Sequence, residues 1–160
     1  MRVARTACEV LRGIGLVPYL KTSGASDLHV YLPLVPSYSY DQTRMFIEGV
    51  ARVVAREHPD IASVERVPGS RSGRVYVDFL QNRRSATVVP PYVARPVPGA
   101  RVSMPLDWDE LDADLTPQRF TIATVPPLVA KRGDTFAATL TQPQDFAPAI
   151  GALQEYLEAG

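Results

Sequence analysis

The chain opens with apolar residues on a helical stagger: Val3, Ala7, Val10, Leu11 and Ile14 recur at the i, i+4, i+7, i+8 and i+11 positions of one helix face. Gly13 and Gly15 follow as stop signals, because glycine takes the left-handed backbone that ends a helix at little steric cost. Two short apolar runs come next, Leu16 to Leu20 and Leu28 to Leu32, separated by the polar turn KTSGASD. Their brevity and the small turn residues predict a hairpin-like pair of strands. A second helix is predicted from Asp41, read as its cap, with Phe46, Val50, Val53 and Val54 facing inward and His58-Pro59 closing it. The β-branched and aromatic stretch RVYVDFL predicts a strand from Arg74 to Phe79. Further on, the pattern predicts a strand near Arg101 to Met104 and short helices around Trp108 to Leu111 and Pro127 to Lys131. A last helix, capped by Asp145, turns Ile150, Leu153 and Leu157 inward.

The first five elements therefore run α-β-β-α-β. The ferredoxin-like or RNA-recognition arrangement runs β-α-β-β-α-β, so the predicted fold class is α+β: such a unit without its first strand, with helical additions toward the C-terminus. In that arrangement the first strand is central. Its absence would leave unpaired backbone groups on two neighbouring strands.

A length of 160 residues suits one domain with its own core, and residues 1–160 are expected to form a single, incomplete domain. The 17 lysines and arginines balance the 17 acids, so any electrostatic preference must be local. It is local between Arg66 and Arg101, where Arg66, Arg71, Arg74, Arg83, Arg84, Arg95 and Arg101 accompany one acid, Asp78. The acids gather later, in LDWDELDADL, and the prolines of VPPYVARPVPGA read as rigid loops within the domain. Cys8, the lone cysteine, lies on the apolar helix face; it reads as a core residue and points to a reducing, cytoplasmic setting. Charges in MRVARTACEV argue against a signal peptide, and no run of about 18 apolar residues offers a membrane span.

The segments KTSGASDLHVYLPL, VYVDFLQN, VVPPYVARPVPGA, PLDWDEL and RFTIATVP, in this order and spacing, resemble the polymerase domain of bacterial DNA ligase D, a member of the archaeo-eukaryotic primase superfamily. The resemblance runs from residue 2 to residue 137, leaving 138–160 as a C-terminal helical extension. It implies template-directed addition of nucleotides to a primer end during double-strand-break repair by end joining. DNA ends and a nucleoside triphosphate would be the partners, with a ligase or end-binding protein as companion. It also implies two divalent ions, Mg²⁺ or Mn²⁺, held by carboxylates. Asp78 matches the carboxylate of the last core strand and would be both catalytic and metal-binding. Lys21, Ser23, Gly24 and His29 match the triphosphate-binding turn, and Gln81 and Arg95 match positions that reach the incoming nucleotide. Arg71, Arg74, Arg83 and Arg84 are the candidate DNA contacts, with Tyr76, Phe79 and Tyr92 as stacking candidates.

The sequence also departs from the family. The Asp-x-Asp pair that should precede the first helix has no match. DWD (Asp107, Asp109) and DAD (Asp112, Asp114) have the spelling, but PLDWDEL matches a later segment that opens a short helix, where the dipole favours acids without a metal. The family turn SGxKG reads Ser26 and Asp27 at its last two positions, and Ala86 stands where a lysine is common. This polypeptide alone is therefore expected to bind and not to polymerise. Plainer readings stand beside these: His29 as a hydrogen-bonded core histidine, the arginine run as a solvated loop face, Asp78 as a carboxylate held by a nearby cation. Two other function classes remain open. One is a non-catalytic DNA-end or nucleotide-binding module; the other is an interaction protein whose missing strand comes from a partner or from a second copy in a homodimer.

Overall fold

The computed structural model describes residues 1–112 and 114–159. In chain order the elements are α1 (Arg2–Gly13), β1 (Tyr19–Thr22), β2 (Leu28–Tyr31), α2 (Tyr40–Glu57), β3 (Ala62–Ser63), β4 (Val75–Tyr76), β5 (Pro105–Leu106), α3 (Val125–Arg132), α4 (Ala138–Thr141) and α5 (Ala149–Glu158). They fall into two compact units, each assembled from separate stretches of chain. A helical unit takes residues 2–17, 34–87 and 144 onward; a hairpin unit takes Met1, 18–33 and 88–143.

In the helical unit α1 buries Cys8, Val10 and Leu11, and Ile14 follows them into the core. Gly15, at φ 85°, ends the helix. Its N–H bonds the Arg12 carbonyl (3.0 Å) while the Leu16 N–H reaches back to Leu11 (2.9 Å), the paired bonds of a left-handed helix stop. Leu16 therefore belongs to this stop, and the first strand begins at Tyr19 and not at Leu16.

Helix α2 is capped by Ser39 and not by Asp41. The Gln42 N–H donates to Ser39 Oγ (3.2 Å) and the Ser39 N–H donates to Gln42 Oε1 (2.8 Å), a reciprocal box that satisfies two orphan donors. Asp41 sits in the first turn, favourable to the dipole, and pairs with Arg44 at 3.1 Å. Phe46, Val50, Val53 and Val54 are buried as expected, and His58 closes the helix with its Nε2 2.7 Å from Thr6 Oγ1. Gly49 lets α5 approach closely: a Cβ there would stand 3.1 Å from Leu153 Cδ2.

Asp145 does not cap α5, which follows Pro148. Its Oδ1 accepts the Ala147 N–H (2.8 Å) and the Tyr38 hydroxyl, and the Tyr38 ring stacks on Phe146, itself stacked on Phe46. Of the three expected inward residues only Leu153 is buried; Ile150 is 42% exposed and Leu157 37%. Gln144 clasps two other segments of the unit. Its side-chain amide accepts the Val17 N–H (2.7 Å) and donates to the Val17 carbonyl (2.9 Å), while its own carbonyl accepts the Val35 N–H (3.0 Å).

The strand expected from Arg74 to Phe79 is shorter. Only Val75 and Tyr76 pair, parallel to Ala62 and Ser63, and the chain turns away at Asp78, whose Oδ1 accepts the Leu80 N–H at 2.8 Å.

The hairpin unit holds the predicted pair. β1 and β2 run antiparallel with Lys21 opposite His29 and Tyr19 opposite Tyr31, and β1 is flanked on its other side by β5. The strand expected near Arg101 to Met104 appears as single bridges, Ala94 to Val102 and Arg101 to Thr121, before the ladder resumes at Pro105. The hairpin and Val75–Tyr76 lie in separate sheets, β1 has a neighbour on each side, and β2 pairs with β1 alone among the described residues. Trp108 to Glu110 form a 3-10 turn, with Trp108 Nε1 donating to the Pro18 carbonyl (2.8 Å). Arg132, ending α3, ties this region by donating to Glu110 (2.7 Å) and to the Pro105 carbonyl (2.6 Å). The stretch expected as one C-terminal extension is divided, α4 in this unit and α5 in the other. No helix among the described residues is long and apolar enough to cross a membrane.

Candidate functional site

The polar turn between β1 and β2 is built from its own backbone. The Ser23 N–H donates to the Asp27 carbonyl (2.8 Å), and Ser23 Oγ accepts the N–H groups of Ala25 (3.1 Å) and Asp27 (3.0 Å). Ser23 therefore holds the turn together and keeps its hydroxyl proton to give elsewhere. The N–H groups of Gly24 and Ser26 make no bond among the described residues. Gly24 has φ 70°, and a Cβ there would lie 2.9 Å from the Ser103 nitrogen and 2.7 Å from Arg95 Cγ. Only glycine lets the turn lie this close to the 101–103 segment.

Lys21 stands at the base of this turn with none of its surface exposed. Nζ donates to the Thr22 carbonyl (3.1 Å) and to Ser103 Oγ (2.5 Å), and the Ser103 hydroxyl passes its own proton to Thr22 O (2.9 Å). The ammonium lies 5.8 Å from the Tyr31 ring centroid, a weak compensation by the ring face. Burial, and then the like charge of Arg95, push the Lys21 pKa down from 10.5 to about 8. None of the ion pairs among the described residues includes Lys21, Arg95 or Arg101. Instead Arg95 Nη1 donates to the Ser23 carbonyl (3.3 Å) and Arg101 Nη1 to the Ala25 carbonyl (3.0 Å).

Of the expected nucleotide-binding residues, Lys21, Ser23, Gly24, His29 and Arg95 therefore share the hairpin unit, with His29 half-buried on the strand opposite Lys21. Ser103 and Arg101 join them and were missed by sequence reasoning. The alternation Arg101, Ser103 carried the hint, since residues two apart in an extended segment share a side. Two stacking candidates are partly committed: Tyr92, at φ 62°, donates its hydroxyl to Asp134 (2.6 Å), and Tyr76 lies under the Arg71 guanidinium at 4.2 Å. Burial and that bond to Asp134 push the Tyr92 phenol up to about 12.

Asp78, Gln81 and the four candidate DNA arginines belong to the helical unit. Arg71 donates to the carbonyls of Glu65 (2.7 Å) and Arg66, and Arg74 to those of Arg71 (2.8 Å), Ser70 (3.2 Å) and Pro59 (3.4 Å), so both tie the loop they sit on. Arg83, Arg84 and Gln81 are exposed. Asp78 is exposed too, and its Oδ1 is used by Leu80. The described residues bring no group of three or more His, Cys, Asp or Glu together in a way that could hold a metal. A pair of Mg²⁺ or Mn²⁺ ions needs several oxygen ligands from the protein, so the residues present do not fit that site. Asp107 and Asp112 serve their own turns: the Asp107 N–H donates to Glu110 (2.9 Å), and Asp112 accepts the Asp114 N–H (3.0 Å).

The family described as LigD, primase-polymerase domain, matches residues 1–136. The chain is 32% identical over 146 residues to the bifunctional non-homologous end joining protein LigD of Bacillus subtilis, which covers 91% of this chain and 24% of that protein. It is 29% identical over 126 residues to the multifunctional non-homologous end joining protein LigD of Pseudomonas aeruginosa, covering 79% and 15%. It therefore spans a quarter or less of these curated relatives. Among solved structures, the polymerase domain from Mycobacterium tuberculosis ligase D in complex with DNA superimposes with a TM-score of 0.81 at 30% identity, over 89% of this chain and 49% of that one.

Proposed function

The chain belongs to the LigD primase-polymerase domain family, and from that premise we propose that it serves DNA repair by non-homologous end joining as the nucleotide-holding part of a polymerase domain. The Ser23–Asp27 turn takes the polyphosphate of the incoming nucleotide, with Lys21 and Arg95 supplying positive charge, His29 and the Ser23 hydroxyl supplying donors, and the Gly24 and Ser26 N–H groups lining the concavity. The helical unit supplies Arg71, Arg74, Arg83 and Arg84 to DNA. One observation carries the reading: a wholly buried lysine beside an arginine, neither of them in an ion pair among the described residues. Burying a cation that has hydrogen bonds but no counter-charge costs on the order of several kcal/mol in desolvation, which is tolerable where an anionic ligand repays it.

Nucleotidyl transfer in this family depends on divalent ions, and Asp78 is the one carboxylate here that matches a family ligand. We therefore expect binding without chemistry from this polypeptide. Primer extension with Mn²⁺ on a recessed-end duplex, run beside Asp78→Ala, tests this. No extension by either protein is the expected result; robust extension abolished by the substitution would overturn it. The reading of an interaction protein completed by a partner strand stands second: the absent strand would pair with β2, and β1 is the one strand that pairs with β2 among the described residues.

A further inference from the structure

We propose that Arg101 is a second guanidinium for the nucleotide's polyphosphate, reaching the turn from the segment that flanks it. This rests on the nucleotide-holding reading above and adds a residue to it. Three cations engage carbonyls of one turn: Lys21 on Thr22 (3.1 Å), Arg95 on Ser23 (3.3 Å) and Arg101 on Ala25 (3.0 Å). Against them the stretch from Tyr19 to Pro33 contributes a single carboxylate, that of the exposed Asp27, and Ser26 in the turn itself carries no charge. Each guanidinium has five N–H donors and the Ala25 bond uses one of those on Arg101. Its Nε is buried and makes no hydrogen bond among the described residues, a state that disfavours the arrangement while it lacks an acceptor.

The position of Arg101 is fixed by three independent constraints. Its backbone pairs with Thr121, its carbonyl accepts the Arg95 N–H (2.7 Å), and Ser103, two residues on, is locked to Lys21. Arg95 and Arg101 are thereby held beside each other against like-charge repulsion, and neither is in an ion pair among the described residues. A compact anion of high charge density satisfies this arrangement better than the single charges spaced along a DNA strand, and Arg suits phosphate through its planar fork.

Titration calorimetry of the full chain without divalent ions, using inorganic tripolyphosphate, a nucleoside triphosphate and a short DNA duplex, tests the assignment. Arg101→Gln is expected to weaken tripolyphosphate and nucleotide binding roughly tenfold, as for the removal of one charge-assisted hydrogen bond, and to leave duplex affinity unchanged. Arg101→Lys should recover part of the affinity, since it keeps the charge without the fork. Should Arg101→Gln fail to fold, Arg101→Lys carries the test, and unaltered affinity there overturns the proposal. If Arg101→Gln binds tripolyphosphate as the parent does while Arg95→Gln does not, Arg101 has no such role and the nucleotide-holding reading stands. Equal weakening for duplex and tripolyphosphate would make Arg101 a general DNA contact and also overturn the assignment. A parent chain that binds neither tripolyphosphate nor nucleotide removes both readings together.

Discussion

Lys21 is where residue-scale chemistry is most exposed to experiment. Its amine is protonated below a pKa of about 8 and neutral above it, so polyphosphate affinity should fall as pH rises through that value. The groups facing it are Arg95, the ring of Tyr31, the hydroxyl of Ser103 and His29 across the strand pair. Stability moves the other way. The unfolded lysine keeps its proton up to 10.5 while the folded one releases it near 8, so the unfolded chain binds more protons across that window and this group makes folding more favourable as pH rises. Binding and thermal melting measured on both sides of pH 8 check the pair; affinity that holds constant while melting rises would remove Lys21 from the site. The turn that holds Lys21, Ser23 and Gly24 was legible in the sequence because a turn advertises itself locally through small and polar residues; the match of these residues to a triphosphate-binding turn came from the resemblance. Arg101 and Ser103 were not, because their relation to the turn depends on which distant segment lies beside β1.

At the scale of elements, the strongest signals were periodic ones. The stagger of Phe46, Val50, Val53 and Val54 gave α2 its buried face, and the apolar runs around KTSGASD gave the hairpin. Ends were harder. Asp41 and Ser39 are both good caps, two residues apart, and what separates them is the Ser39-x-x-Gln42 box, legible in the sequence but overlooked. Ser39→Ala should cost about 1 kcal/mol in chemical denaturation. Asp41→Asn, losing an exposed pair whose carboxylate is 82% accessible, should stay within about 0.5 kcal/mol. The reverse ranking would restore Asp41 as the cap. RVYVDFL misled because β-branched and aromatic residues state a preference for extended chain without stating a partner. Only Ala62 and Ser63 pair with it, and Asp78 then turns the chain.

For the whole molecule, balanced charge means that no general field draws it to DNA, so any affinity must come from a few arginines. Those in the helical unit divide by what they already hold. Replacing Arg83 and Arg84 together with Gln should weaken duplex binding and reduce the slope of log affinity against log salt by about two, one counterion for each phosphate that is no longer neutralised. Replacing Arg71 and Arg74 should lower the melting temperature as well, since their guanidinium groups bind loop carbonyls. An unchanged salt slope in the Arg83/Arg84 double variant would remove these two residues from the DNA surface.

Gln144 has a consequence for how the protein comes into being. The two-pronged amide grip on Val17 and the bond to Val35 bring both ends of the 18–33 stretch to one residue late in the chain. A ribosome delivers Gln144 127 residues after Val17, so this clasp stays open while the intervening chain is made and the early segments must wait for it. Assembly is therefore expected to be a late, concerted event, and a nascent chain stalled before Gln144 should remain open to protease throughout its length.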